Sequence, residues 1–209
     1  MADELLEFYA SEALMCPRRI YYRLKGYPQR WPINVKIRLE QGVRIHNLLG
    51  NILKKRFNYE LEKHMVLKAP RLGFEIHGRI DAFKGHPIEI KGKTSVPREP
   101  YDYHLAQLNI YMRWANAEWG YLYYVRLGNE KERLRKIDFS RFPLVEGVGF
   151  RAFEIPYDKK LFHETLRQFY KIKKHYEKDK PPKGWDNFMC KYCPYRYLCQ
   201  PEDYADGFF

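Results

Sequence analysis

Apolar residues recur every three or four positions in three long stretches of this chain, a spacing that is typical of amphipathic helices. The stretches 34–57, 99–118 and 158–180 are therefore predicted helices, and Pro181 ends the last of them. In the first stretch the apolar row is interrupted once, and His46 fills the gap. The pattern thus predicts that the His46 side chain points toward the interior.

Between the first two long helices the pattern changes to alternation, as in strands, over the stretches 59–70, 73–83 and 87–93. In the second stretch Asp81 lies on the face opposite its apolar neighbours, and in the third Glu89 and Lys91 do the same. A hairpin through the sequence KGHP joins these two strands. We therefore expect Asp81, Glu89 and Lys91 on one face of neighbouring strands.

Shorter elements complete the pattern. Ser11 is a candidate cap for a short helix that reaches Cys16, where Pro17 ends it or begins a second helix. Further strands are predicted at 120–127, 131–139 and 150–157. Strands flanked by helices, with one long helix inserted after the third strand, predict an α/β sandwich.

The paired carboxylates indicate a metal site. Asp81 and Glu89 on adjacent strands repel each other unless a positive group lies between them. Their oxygens suit Mg²⁺ or Mn²⁺, and a nitrogen from His46 would shift the preference toward Mn²⁺. Lys91 on the same face would orient a water or stabilise charge on a phosphate. The alternative interpretations are a solvated ion cluster on the surface and a core histidine with a satisfied partner.

The cysteines indicate a second metal site. In a reducing compartment four cysteines are more often metal ligands than disulfides, and here they are Cys16, Cys190, Cys193 and Cys199. Zinc ribbons usually combine two close pairs, whereas this chain has one close pair, one looser spacing and one remote cysteine. The spacing alone leaves zinc and an iron–sulfur cluster equally open.

The net charge and the lengths of the apolar runs limit the kinds of partner that the protein can bind. The 209 residues carry a formal net charge of +12, which favours a polyanion such as nucleic acid and does not exclude an acidic membrane surface. No apolar run approaches the roughly 20 residues of a membrane span, and no signal peptide opens the sequence. We expect a cytoplasmic protein that has no membrane partner.

The order of these features resembles a known family. A histidine, an aspartate, E-x-K and Q-x-x-x-Y follow one another between an early cysteine and a terminal C-x2-C-x5-C. This pattern is similar to the RecB-like nucleases of the PD-(D/E)XK superfamily that carry an iron–sulfur cluster. Among these the chain most resembles the CRISPR-associated exonucleases of the spacer-adaptation module. The resemblance spans Cys16 to Cys199, with Ile80 standing where the superfamily's name has proline.

The resemblance implies the fold and the site. It implies a mixed sheet flanked by helices, with an iron–sulfur clasp formed by the N- and C-terminal segments. It divides the chain into a helical region (1–58), a nuclease core (59–180) and a cluster segment (181–209). The implied ligands of Mn²⁺ or Mg²⁺ are His46, Asp81, Glu89 and the backbone carbonyl of Ile90. The implied roles of the others are catalysis for Lys91, DNA positioning for Gln107 and Tyr111, and [4Fe–4S] ligation for Cys16, Cys190, Cys193 and Cys199.

The resemblance also implies the activity, that of a metal-dependent exonuclease acting mainly on single-stranded DNA, preferentially 5′ to 3′. Such proteins process DNA for CRISPR spacer acquisition beside the adaptation integrase. One alternative is a non-enzymatic subunit, stabilised by a four-cysteine metal site, that binds DNA ends and presents them to a partner enzyme. Another is the same nuclease chemistry in DNA repair or in a mobile element.

Overall fold

A computed structural model of the chain describes residues 5–201. Its helices are α1 (Pro17–Leu24), α2 (Ile33–Phe57), α3 (Asp102–Ala115), α4 (Glu130–Arg135), α5 (Lys159–Glu177) and α6 (Arg196–Cys199). Its strands are β1 (Leu6–Tyr9), β2 (Glu60–Ala69), β3 (Phe74–Lys84), β4 (His86–Lys93), β5 (Trp119–Arg126), β6 (Glu146–Gly147) and β7 (Phe150–Pro156).

The seven strands form one mixed sheet in the order β1-β3-β4-β5-β7-β6, with β2 on the other edge of β3. The β4–β5 pair is parallel, so the chain crosses over between them through α3. The remaining neighbours of β3 and β5 are antiparallel, except that β1 runs parallel to β3. The predicted α/β layering is confirmed, with helices on both faces of the sheet.

The hairpin of β3 and β4 opens soon after its turn. Pairing begins at Lys84 with His86 and stops at Ala82 with Ile88. Beyond that point β3 pairs with β1 along the same edge, so a gap remains between β1 and β4. Asp81 is the first residue of β3 past the last pair, and it therefore lies where the strands separate.

Two apolar layers hold the sheet between the helices. On one side α3 and α5 pack on β1 and β3 through buried residues such as Phe8, Ile76 and Phe169. On the other side α2 packs on β4 and β5 through residues such as Ile45 and Leu49. Burial of these side chains stabilises the sandwich by about 25 cal/mol for each Å² of apolar surface removed from water.

The two ends of the described chain contact each other. The Arg30 backbone amide donates to the Pro194 carbonyl at 3.0 Å, and the Tyr197 hydroxyl donates to the Pro28 carbonyl at 2.8 Å. The Arg18 guanidinium donates to the Pro182 carbonyl at 2.9 Å. The division into regions 1–58, 59–180 and 181–209 stays a prediction, and its parts 1–4 and 202–209 lie outside the described residues.

Two predicted elements differ from the structure, and one observed strand was not predicted. The predicted helix after Ser11 is a single 3-10 turn, Ala10–Glu12, preceded by the unpredicted strand β1. The predicted strand 131–139 is instead helix α4 with a 3-10 turn after it. Acidic residues in the first turn of α4 and basic residues in its last turn complement the helix dipole. That charge pattern outweighs the short alternation of apolar residues.

The first half of α2 is more exposed than its apolar spacing predicts. Leu39 and Val43 are 52% and 61% exposed, whereas Leu49 and Leu53 in the second half are fully buried. The sheet therefore lies beneath the second half of the helix. Within residues 5–201, none of the helices combines the length and the apolar character that a membrane crossing requires.

Gly78 allows the close packing of α3 on β3. A Cβ atom at this position would lie 2.7 Å from Cε1 of Tyr111 and 3.2 Å from Cβ of Ala10. We expect Gly78→Ala to lower the free energy of unfolding by about 1–3 kcal/mol, because the Tyr111 ring must move. Urea denaturation measures this loss.

The matched control is Gly42→Ala in α2, where no atom lies within 4 Å of the added methyl group. This change should stabilise the protein by up to about 1 kcal/mol, since alanine favours the helix. Equal effects of the two substitutions would contradict the close packing at Gly78.

Candidate active site

Asp81 joins three elements at the gap between β3 and β4. Its Oδ2 atom accepts a hydrogen bond of 2.7 Å from the backbone amide of Ile90 in β4. Its Oδ1 atom lies 3.0 Å from Nδ1 of His46 in α2. The carboxylate is only 8% exposed. The structure thus brings His46, Asp81 and Ile90 together as predicted, and the ligand role of the Ile90 carbonyl stays a prediction.

Glu89 is more deeply buried, at 2% exposure. Its Oε1 atom accepts from Lys91 Nζ at 2.5 Å and from Gln107 Nε2 at 2.9 Å. Its Oε2 atom has no hydrogen-bond partner among the described residues. A buried carboxylate oxygen without a partner is costly, and a bound cation is one of the groups that relieve this cost.

Gln107 links the acidic and basic members of the site. Its Oε1 atom accepts from Lys91 Nζ at 2.8 Å, while its Nε2 donates to Glu89 and, at 3.0 Å, to the Tyr111 hydroxyl. Tyr111 in turn donates to the carbonyl of Arg79 at 3.2 Å. Gln107 and Tyr111 are both buried, which excludes an exposed polar edge of α3. Their role in positioning DNA stays a prediction.

The electrostatics of the site reflect an excess of buried negative charge. Burial raises the pKa of Glu89 to about 7, and the charge of Asp81 acts in the same direction against Lys91 and His46. Burial lowers the pKa of His46, but the hydrogen bond and the charge of Asp81 outweigh it and leave that pKa raised. Both groups therefore hold protons more tightly than in water, as expected where positive charge is lacking.

Glu62 was missed by sequence reasoning. One of its carboxylate oxygens, a ring nitrogen of His46 and an oxygen of Asp81 all lie within 4.8 Å of one another. Glu62 also forms an ion pair with Arg79, with an N–O distance of 2.5 Å. It lies on β2 between the residues that pair with Ala82 and Ile80, and so opposite Asp81. Only the register of β2 against β3 could have revealed it.

Five of the predicted site residues line one cavity of about 470 Å³. Its lining includes the predicted residues His46, Asp81, Glu89, Gln107 and Tyr111, together with the histidines His64 and His77. Oxygen and nitrogen donors that converge in an open cavity suit a divalent cation with positions left for water and a substrate oxygen.

The four cysteines line a second cavity, of about 370 Å³, between the ends of the chain. All four are free thiols. The Cys16 sulfur accepts from the backbone amide of Trp185 at 3.3 Å, and the Cys190 thiol donates to the carbonyl of the same residue at 3.5 Å. Within residues 5–201, no three of the four sulfur atoms lie within 4.8 Å of one another.

Comparisons with known proteins place the fold. No family model matches the chain. The CRISPR-associated exonuclease Cas4 of Saccharolobus solfataricus is 26% identical over 204 residues, which cover 91% of this chain and 86% of that protein. The resemblance predicted from the sequence is confirmed by this match.

Several solved structures are similar to this chain. The structure of SSO0001 covers 95% of this chain and 88% of its own, with a TM-score of 0.63 and 22% identity. A phage-related exonuclease from Haemophilus somnus 129PT gives a TM-score of 0.54 at 13% identity, over 83% of this chain and 95% of its own. An alkaline exonuclease from Laribacter hongkongensis gives 0.53 at 13% identity, over 97% of this chain and 96% of its own. These likenesses show a shared fold.

The raised pKa of Glu89 gives a test of the buried charge. Between the ordinary carboxyl value of 4.5 and about 7, the folded state keeps a proton that the unfolded state loses. The stability of the metal-free protein should therefore fall as the pH rises through this window. Glu89→Gln removes this loss, so its melting temperature should exceed that of the wild type by more at pH 8 than at pH 5.

Thermal unfolding in the presence of EDTA measures the difference. The control is Glu99→Gln, because Glu99 is exposed and lies outside the site. Its melting temperature should stay close to that of the wild type at both values of pH. If Glu89→Gln raises the melting temperature equally at pH 5 and pH 8, the ionised form of Glu89 does not destabilise the folded protein.

Proposed function

We propose that this chain is a metal-dependent deoxyribonuclease that acts as an exonuclease, mainly on single-stranded DNA and preferentially 5′ to 3′. The observation that carries the proposal is the buried Glu89 carboxylate beside Asp81 and Lys91. One oxygen of this carboxylate has no hydrogen-bond partner among residues 5–201. The similar proteins support it, since they are named as exonucleases, and the Laribacter enzyme has been solved with dAMP.

The residues that would hold Mn²⁺ or Mg²⁺ are His46, Asp81 and Glu89 with the Ile90 carbonyl, and Glu62 is an additional candidate. When bound, the ion supplies a Lewis acid and a water of lowered pKa for hydrolysis of a phosphodiester. Mixed oxygen and nitrogen ligands favour Mn²⁺ over Mg²⁺.

Lys91 and Gln107 provide the rest of the chemistry. The Lys91 ammonium contacts both Glu89 and Gln107, and these two contacts fix its position in the site. At this position it would orient the attacking water and stabilise the negative charge that grows on the phosphate oxygens. The water oxygen would form a bond to phosphorus and lose one proton to solvent. The bond between phosphorus and the departing oxygen would break, and that oxygen would take up a proton from solvent.

The substrate and the setting follow from charge and resemblance. A net charge of +12 favours a polyanion. The preference for single strands, the polarity and the role in CRISPR spacer acquisition beside the integrase rest on the family resemblance. The cytoplasmic location rests on the sequence, in which every apolar run is shorter than a membrane span.

Cys16, Cys190, Cys193 and Cys199 would hold a [4Fe–4S] cluster that ties the two ends of the chain together. The four cysteines line one cavity between the ends of the chain. Four thiolates at such a site suit either one zinc ion or an iron–sulfur cluster, and the family resemblance favours the cluster.

The activity is tested with anaerobically purified protein, Mn²⁺ and single-stranded DNA labelled at either end. We expect the wild type to degrade this DNA, and Asp81→Asn and Lys91→Met each to lower the rate by at least about a hundredfold. Lys84→Met, which removes an ammonium that donates to the Phe57 carbonyl and is not one of the proposed site residues, should retain the rate. Intact DNA with the wild type, or equal rates in the three variants, would favour a DNA-end-binding subunit without catalysis.

The cluster is tested by colour, metal content and stability. Freshly purified protein should absorb near roughly 400 nm through iron–sulfur charge transfer and contain iron. Cys16→Ala should lose this absorbance and unfold at lower temperature, because cluster binding is coupled to folding. Colourless protein with one zinc per chain would overturn the assignment.

A further inference from the structure

Lys93 is a half-buried cation without an anion. It ends β4, two residues after Lys91 and on the same face of the strand. Its ammonium contacts the Tyr103 hydroxyl at 3.3 Å and lies 5.0 Å and 5.5 Å from the ring centres of Tyr101 and Tyr103. In the part of the chain that the structure describes, no carboxylate oxygen lies within 4.0 Å of it. Aromatic faces stabilise such a cation only in part.

Burial, together with the positive charge of Lys91, lowers the pKa of Lys93 to about 8. The environment of this side chain therefore lacks negative charge. An anion bound at this point would supply it.

The contacts of Lys93 continue a row that begins at the metal-binding carboxylates. Positions 103, 107 and 111 lie on one face of α3, since they are four residues apart. This face lies over alternate residues of β4, so that Tyr103 contacts Lys93 and Gln107 contacts Lys91 and Glu89. The row therefore extends one step beyond the motif that the family resemblance covers.

The spacing of the row fits a nucleic-acid strand. Alternate residues of a strand are about 6.6 Å apart, close to the separation of neighbouring phosphates along an extended single strand. A strand whose reacting phosphate lies beside Lys91 would thus bring its next phosphate to Lys93. Arg126, exposed at the end of β5 and in register with Lys93, extends the positive charge in the same direction.

An aromatic platform lies beside this position. The rings of Tyr101 and Tyr103 stack at 5.5 Å with an angle of 13°, and Tyr101 is 41% exposed. Unpaired bases stack on such exposed rings with little dependence on sequence.

We propose that Lys93, Tyr101 and Tyr103 form a second nucleotide subsite, in which Lys93 binds the phosphate next to the one that is cleaved and Tyr101 stacks against its base. The inference rests on the proposed function, which defines the phosphate that is cleaved and therefore the one next to it. It explains why a lysine with no carboxylate partner among residues 5–201 lies at the end of the strand that carries Glu89 and Lys91.

A binding experiment that needs no cleavage tests the subsite. In the Asp81→Asn background, fluorescence anisotropy measures affinity for short single-stranded oligonucleotides, each with one phosphate replaced by an uncharged methylphosphonate. We expect one replacement near the bound end to weaken binding by about tenfold. Adding Lys93→Gln should weaken binding of the unmodified strand by a similar factor and abolish the effect of that replacement.

Two controls keep the result interpretable. Lys84→Gln, at the opposite end of the hairpin, should leave the position-specific effect intact, and Lys93→Arg should retain it because the charge is kept. Lys93→Gln should also reduce the slope of log affinity against log salt by about 0.7, the value for one phosphate on a single strand.

Two results would overturn the subsite. In one, Lys93→Gln lowers the affinity for every oligonucleotide equally. In the other, no single phosphate replacement has an effect on affinity that depends on Lys93. Because binding is read without hydrolysis, either result is distinct from failure of the proposed function, which appears as intact DNA with the wild-type protein and Mn²⁺. The melting temperature of each variant identifies any variant that fails to fold. If Lys93→Gln fails to fold, Lys93→Arg provides the test, because the same phosphate replacement should still weaken its binding.

Discussion

The repulsion between the buried carboxylates of Asp81 and Glu89 is the constraint on which the rest of the site depends. Counted from the turn, the last β3–β4 pair is Ala82 with Ile88, and Asp81 is the next residue of β3. The two acidic groups therefore lie at a gap between the strands. A ring nitrogen of His46, the amide of Ile90 and the ammonium of Lys91 all contact this pair. One oxygen of Glu89 still has no partner among the described residues. The arrangement costs stability in the absence of a cation and is suited to one.

The rest of the fold keeps this arrangement in place. Helix α2 carries His46 over one face of the sheet, and helix α3 carries Gln107 over the other. The glycine at position 78 lets the Tyr111 ring pack directly on β3. Segments near the two ends of the chain meet around a second cavity, which is lined by all four cysteines.

Local patterns predict the elements that carry the site, because alternation and helical spacing depend only on nearby residues. They predict the helix of His46, the strands of Asp81 and Glu89, and their joining hairpin. They miss Glu62, because its place opposite Asp81 depends on the register of β2 against β3. The contacts of Lys93 depend in the same way on how α3 lies over β4. The exposed first half of α2 was wrongly expected to be buried, since apolar spacing does not reveal how far the sheet extends beneath a helix.

Thermal unfolding at pH 8 with and without Mn²⁺ tests the central claim most directly. A cation that binds the folded state alone raises the melting temperature as its concentration exceeds the dissociation constant. If Asp81 and Glu89 form a cation site, Mn²⁺ should raise the melting temperature of the wild type clearly and that of Glu89→Gln little. An equal shift in both proteins, or no shift in the wild type, would contradict the account.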